Sequence, residues 1–278
     1  MAKTAAVVMP THSPNDELIR AHYKAVAEKH GASPRSSMED DFVRIKEIEC
    51  IVNLYRFVRE QIQRPLNILE VGCGNGYALE VLSSLDRTDN FWGVDFSEAL
   101  LSIARERQLP NCQLMQGDAR SLSAEPEFFD WVYTERCLIN ILDANEQLDA
   151  LRQIAKVLKP NAYFLMIEGF ADGLRNYNKA RSECGLPEVK EALHNKNFEK
   201  EETFAAISDL FSVVDGSQLG KYAVASNFLS SYYFISRVLY AALSKGEVVR
   251  NSVVAKFFSY LPPIGNYSTI QAYVLRKK

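Results

Sequence analysis

Three glycines at alternate positions, Gly72, Gly74 and Gly76, follow a short apolar run of Ile68, Leu69 and Val71, with Glu70 set just before them. A turn without side chains lets a ligand lie directly against the backbone. The unpaired amides that open the following helix then offer donors to it. Nineteen residues after Gly76, Asp95 closes a second apolar run, Asn90-Phe91-Trp92-Gly93-Val94. An ionised carboxylate at that point can accept from both hydroxyls of a ribose diol. A third run, Gln113 to Gly117, ends in Asp118, a candidate acceptor for the exocyclic amine of adenine. The spacing departs from the dinucleotide fingerprint G-x-G-x-x-G, because Tyr77 stands where the last glycine belongs, and this counts against a nicotinamide-dependent oxidoreductase.

These residues need strands and helices to hold them. Residues 68–71 read as a buried strand that turns into a helix at Tyr77-Ala78-Leu79-Glu80-Val81-Leu82. Residues 90–95 read as a second strand, and 96–105 as an amphipathic helix with Ser97 as N-cap. Further strands are expected at 113–118, 129–134 and 162–169, and a helix at 146–158 is stopped by Lys159-Pro160-Asn161. A helix at 200–210, a strand at 211–215 and a last strand at 270–275 complete the pattern.

The order E-V-G-C-G-N-G, then W-G-V-D, Q-G-D-A-R and V-L-K-P-N, over about residues 65 to 170, resembles the S-adenosylmethionine-dependent methyltransferases of the Rossmann-like kind. The resemblance implies an α/β fold, a doubly wound, seven-stranded, mostly parallel sheet whose last strand is antiparallel. It implies S-adenosyl-L-methionine as cofactor, with Glu70 and the Gly72/Gly74/Gly76 turn at its methionine end and Asp95 on its ribose. Phe96, Gly117, Asp118 and Ala119 would surround the adenine. Glu135, just after the fourth strand, would line the methyl-transfer centre beside the cofactor.

Outside that region, residues 1–64 read as an N-terminal helical lid, with helices at 15–30 and 39–62. Ile45, Ile48, Ile51/Val52 and Tyr55 of the second follow helical spacing and are expected to face the sheet. Residues 65–278 form the Rossmann-like domain, and excursions at 171–199 and 221–265 would cap an acceptor pocket. The string from Ser37 to Glu47 resembles a bacterial subgroup found in surface-polysaccharide and natural-product pathways. That resemblance implies that Arg44 reaches the cofactor carboxylate, against the alternative of a solvated charge on an amphipathic helix. In the second excursion, Phe228 to Tyr240 is apolar and aromatic, but Asn227 and Arg237 interrupt a run barely long enough to span a bilayer. It reads as a cap helix lining the acceptor pocket, with a homodimer face as the alternative.

The net charge of -3 provides no sequence-wide field for nucleic acid. Cys50, Cys73, Cys112, Cys137 and Cys184 form no C-x-x-C pair, so no metal site is expected and a reducing cytoplasmic compartment fits. Ala5-Ala6-Val7-Val8-Met9 is too short for a secretory signal. The expected partner is a small-molecule or sugar acceptor, with no nucleic acid and no membrane span.

The subgroup resemblance favours O-methylation, with N-methylation of a small amine or amino sugar and a non-catalytic cofactor-binding protein as alternatives. A hydroxyl acceptor benefits from a general base, whereas a neutral amine needs only its lone pair. His194 has the suitable ordinary pKa, and Glu168, Tyr23 and Glu135 are its rivals.

Overall fold

A computed structural model describes residues 14–36, 38–244 and 248–278. The readings of Met1 to Pro10 and of Ser37 lie outside the described residues. Seven strands, β1 (Asn67–Val71), β2 (Asn90–Asp95), β3 (Cys112–Gln116), β4 (Phe129–Glu135), β5 (Leu158–Gly169), β6 (Phe211–Val214) and β7 (Ile270–Lys277), form one sheet. Their spatial order is β3-β2-β1-β4-β5-β7-β6. β1 to β5 pair in parallel, and β7 runs antiparallel between β5 and β6. The chain reverses direction on the sheet between β1 and β4. The carboxyl ends of β1, β2 and β4 therefore open around one crevice.

Successive strand residues face opposite sides, and both sides are covered. Ile68, Trp131, Tyr133 and Leu165 pack with Ile51, Leu54, Tyr55 and Val58 of helix α2 (Asp41–Gln61) on one face. Leu69, Val132, Phe164 and Met166 pack with Leu151 and Ile154 of the helix Ala144–Val157 on the other. The stripe on α2 follows the expected one at Ile51 and Tyr55, with Ile48 and Val52 partly buried against the core, and departs from it at Ile45. Ile45 is half exposed, whereas Val43, Glu47, Cys50, Ile51, Leu54, Tyr55 and Val58 are buried. A charged residue at 47 conceals that stripe in the sequence.

Helix α1 (Pro14–His30) lies across the crevice and packs on α4 (Glu98–Glu106), while α3 (Tyr77–Leu85) follows the glycine turn. Ser97 caps α4, accepting from the Leu100 amide. Helix α5 (Ala144–Val157) begins earlier than expected because the Asp143 carboxylate accepts from the Asn145 and Glu146 amides. β5 begins at Leu158 rather than Ala162. It runs through Pro160, and Asn161 takes the left-handed conformation (φ 64°) that asparagine tolerates.

The first excursion, expected as a helical cap insertion, opens with a helix, α6 (Ala171–Glu183). α7 (Lys200–Ala206) is shorter than expected. In the second excursion α8 (Ser230–Phe234) continues through a π-helical turn, Ile235–Leu239, into α9 (Tyr240–Ser244), and α10 (Val253–Ser259) follows. Among the described residues no helix is long and apolar enough to cross a membrane.

Candidate functional site

A cavity opens at the carboxyl ends of β1, β2 and β4, lined by Glu70, Gly72, Gly74, Asp95, Phe96, Gly117, Asp118, Ala119 and Glu135, with Tyr23 and Arg44 from the lid. Gly74 is left-handed (φ 52°), and a side chain there would point into space whose nearest atom is 4.0 Å away on Leu100. That open space is where a ligand would lie on the backbone. Gly72 serves a different purpose, since a Cβ on it would come within 2.4 Å of Cys137. Gly76 does not line the cavity. Its α-carbon sits against Ala104 of α4, where a Cβ would approach to 3.1 Å, so it brings α3 and α4 together.

Asp95 braces the turn. Its carboxylate accepts from the Gly74 and Ser97 amides, each at 2.7 Å. Burial raises its pKa to about 6 despite these donors. Two amides leave acceptor capacity on the carboxylate for hydroxyls in the cavity. Asp118 is engaged more heavily. Arg120 holds it through Nε and Nη2 (2.6–3.0 Å) and also reaches Asp16 of α1 and Glu146 of α5. One arginine thus ties α1 and α5 to the turn after β3. On Phe96, the Arg20 guanidinium lies 3.8 Å above the ring and covers one face.

At the opposite end of the cavity, five charged or titratable side chains are buried together. Glu47 pairs with Arg136 through two contacts (2.7 and 3.2 Å), and Glu135 accepts from both Arg136 and Arg44. Burial lowers the Arg44 pKa, its guanidinium stands 5.0 Å over the Tyr77 ring, and its Nε has no hydrogen-bond partner in the protein. Such an orphaned buried donor beside a cavity suits an anionic ligand group. Glu70 accepts from the Tyr133 hydroxyl at 3.0 Å, and burial raises its pKa to about 8. With Glu70 protonated, two arginines face two carboxylates and this end of the site is neutral.

A second cavity, about 660 Å³, adjoins the first. Tyr23, Ser36, Arg136 and Asn140 line both. His194, Asn195 and Leu174 of the first excursion face it, as do Tyr233, Arg237 and Arg250 of the second. The Tyr23 hydroxyl donates to Asn140 Oδ1 (2.6 Å), and Asn140 Nδ2 donates to the His194 carbonyl (2.9 Å) and Asn195 Oδ1 (3.0 Å). Lid, β4 turn and excursion are tied together at the junction of the cavities. The His194 ring stacks on His22 at 3.8 Å, and burial, followed by the His22 charge, lowers its pKa. Burial pushes the Tyr23 hydroxyl well above its ordinary pKa, which keeps it a hydrogen-bond donor.

Glu168 does not take part in either cavity. It is fully buried and accepts from the Cys137, Leu138 and Ile139 amides (3.0–3.2 Å), closing the turn after β4. Burial raises its pKa to about 7, and it lies off both cavity walls with its two oxygens engaged by these amides. Glu135 lines the first cavity but is committed to two arginines. The sequence reading missed Arg136, Asn140, Glu47 and Arg120. Arg136 carries a signal in hindsight, being a charge directly after a strand buried along its whole length. It is also left-handed (φ 52°), a conformation that turns it back over the site. Among the described residues no cluster could hold a metal ion, and all five cysteines are free.

Residues 68–161 match the methyltransferase domain family. Demethylmenaquinone methyltransferases of Staphylococcus aureus are 31% identical over 110 residues, which is 38% of this chain and 44% of theirs. The chain therefore spans less than half the length of the curated relatives it matches. Phosphoethanolamine N-methyltransferase 1 of Haemonchus contortus, solved with phosphoethanolamine and S-adenosylhomocysteine, superposes with a TM-score of 0.58 at 13% identity, over 95% of this chain and 49% of that one. The plantazolicin methyltransferase BpumL, solved with S-adenosylhomocysteine and a triazolic desmethyl analogue, superposes with a TM-score of 0.53 at 14% identity, over 96% and 92%. The fold is that of the S-adenosylmethionine-dependent, Rossmann-like methyltransferases.

Proposed function

We propose that this methyltransferase-fold chain binds S-adenosyl-L-methionine in the first cavity and methylates a hydroxyl of a small molecule held in the second. The observation that carries this reading is the shared wall of Tyr23, Ser36, Arg136 and Asn140 between the two cavities. The donor set suits the cofactor. Asp95 faces the position of a ribose diol, Gly74 leaves the backbone bare, Arg44 offers a cation to the carboxylate of an amino acid end, and Glu70, largely protonated in the free protein, can ionise beside its ammonium. When bound, the cofactor supplies a methyl group already activated by its sulfonium.

The protein then has to align the acceptor, exclude water and receive a proton. α1 covers the junction, and the Tyr23–Asn140 hydrogen bond fixes that cover to the β4 turn. His194 faces the acceptor cavity with a lowered pKa, so it is neutral at physiological pH and able to take the hydroxyl proton. The matched region in demethylmenaquinone methyltransferases and the fold shared with a plantazolicin methyltransferase support a small molecule as acceptor. The test pairs equilibrium binding of S-adenosylmethionine with turnover on matched hydroxyl and amine acceptors. Binding without turnover on any acceptor would favour a non-catalytic role, and turnover confined to amines would overturn the hydroxyl assignment.

A further inference from the structure

The surface departs from ordinary solubility rules at the excursion between β6 and β7. Among the described residues, nine of the fifteen exposed large apolar side chains fall between residues 239 and 264, less than a tenth of the chain. α10 is amphipathic in the inverted sense. Ala255 and Ser259 are buried toward α2 and α8, while Val253 (84% exposed) and Phe257 (65%) stand one turn apart on the outer face. Leu243 of α9 (86%) and Tyr260 (67%) extend the patch. The Phe258 ring, 6.3 Å from Tyr240 and 6.4 Å from Phe257, joins the two parts. A helix that meets only water turns its apolar stripe inward, and a contiguous outward one marks an interaction site.

The charges point to the partner. Arg250 and Lys256 are the charged side chains of the described part of this stretch, and both are basic. Arg250 and Lys29 share a single carboxylate, Glu39, at 3.2 and 2.8 Å, which leaves the rim positive on a chain whose net charge is -3.

We propose that this face docks on an anionic lipid bilayer. Val253, Phe257 and Leu243 would enter the acyl boundary, Tyr260 would sit at headgroup level, and Lys256 would reach the anionic headgroups along its own aliphatic stem. A second copy fits less well, because a twofold contact would set Arg250 and Lys256 near their own counterparts. Attachment is peripheral and does not depend on the methyl-transfer reading. It has a consequence for that reading, since Arg250 also lines the second cavity and docking places the cavity mouth at the lipid surface.

The full chain is to be sedimented with vesicles of phosphatidylglycerol and phosphatidylcholine, and with phosphatidylcholine alone, at low and high salt. The expected result is partition to the anionic vesicles that high salt or removal of phosphatidylglycerol weakens by about tenfold or more. The double variant Val253→Ser/Phe257→Ser should lose about tenfold or more in partition with unchanged circular dichroism and cofactor affinity. Lys256→Glu, a surface change without folding risk, should lose at least about fivefold on anionic vesicles alone. Absence of partition to anionic vesicles, or partition indifferent to these variants, would overturn the proposal. So would a concentration-dependent dimer that the double variant dissociates, which would assign the face to a second copy.

Discussion

Glu70 should release a proton when the cofactor binds. In the free protein its carboxyl is buried, hydrogen-bonded to Tyr133 and raised to about 8. At pH 7.5 about three quarters of the molecules then carry that proton. A ligand cation about 4 Å away, at an effective dielectric of about 20, favours the carboxylate by ~4 kcal/mol, or about three pKa units. Binding would therefore leave Glu70 ionised and release about 0.7 proton per ligand at that pH. Calorimetric titration with S-adenosylmethionine in Tris and in phosphate reads this directly, because the released proton contributes a buffer-dependent heat. Asp95, at about 6, is already ionised at pH 7.5 and contributes little. Glu70→Gln keeps the side-chain oxygen that Tyr133 needs and should abolish the buffer dependence. Equal heats in the two buffers for the unaltered protein, or a dependence that survives in Glu70→Gln, would refute the placement of Glu70 against the cofactor's cationic end. The linkage also fixes a sign. Affinity should rise with pH up to about 8 and level off above it.

Asp95→Asn replaces an ionised acceptor and sets an amide NH2 against one of the two backbone donors it serves. Cofactor binding should weaken by about 1.5–3 kcal/mol, tenfold or more, in the same calorimetric assay, and unchanged affinity would remove the ribose assignment. His194→Ala should lower kcat by roughly 10² to 10⁴ on a hydroxyl acceptor with cofactor affinity nearly unchanged. The rate of the unaltered enzyme should rise with pH through an imidazole pKa below the ordinary value, and an enzyme that keeps most of its turnover without the imidazole would exclude it as base. Glu168→Ala strands three buried amides at the turn after β4 and should cost at least ~3 kcal/mol in a denaturant titration. A loss of rate without loss of stability would return Glu168 to the chemistry.

Much of the first cavity was legible in the chain because its parts are local. A strand, a glycine turn and a helix lie within about twenty residues, and an acid at the tip of the next strand follows from the pattern itself. Gly74, Asp95 and Glu70 could be placed by counting along the sequence, and the seven-stranded sheet with its last strand antiparallel was what the family resemblance implied. What the sequence could not show is which residues from distant segments meet. Arg136 turns back over the site through a left-handed backbone and pairs with Glu47, eighty-nine residues away. Tyr23 finds Asn140 across one hundred and seventeen residues. The same tertiary contacts separated residues that looked alike. Gly74 lies open to a ligand while Gly76 is packed on Ala104, and Glu70 faces the cavity while Glu168 satisfies three amides away from it. Local periodicity specifies the element that carries a side chain. The partner a buried polar group finds depends on packing, because an unpaired charge or amide inside the protein is too costly to leave, and the fold decides which neighbour satisfies it.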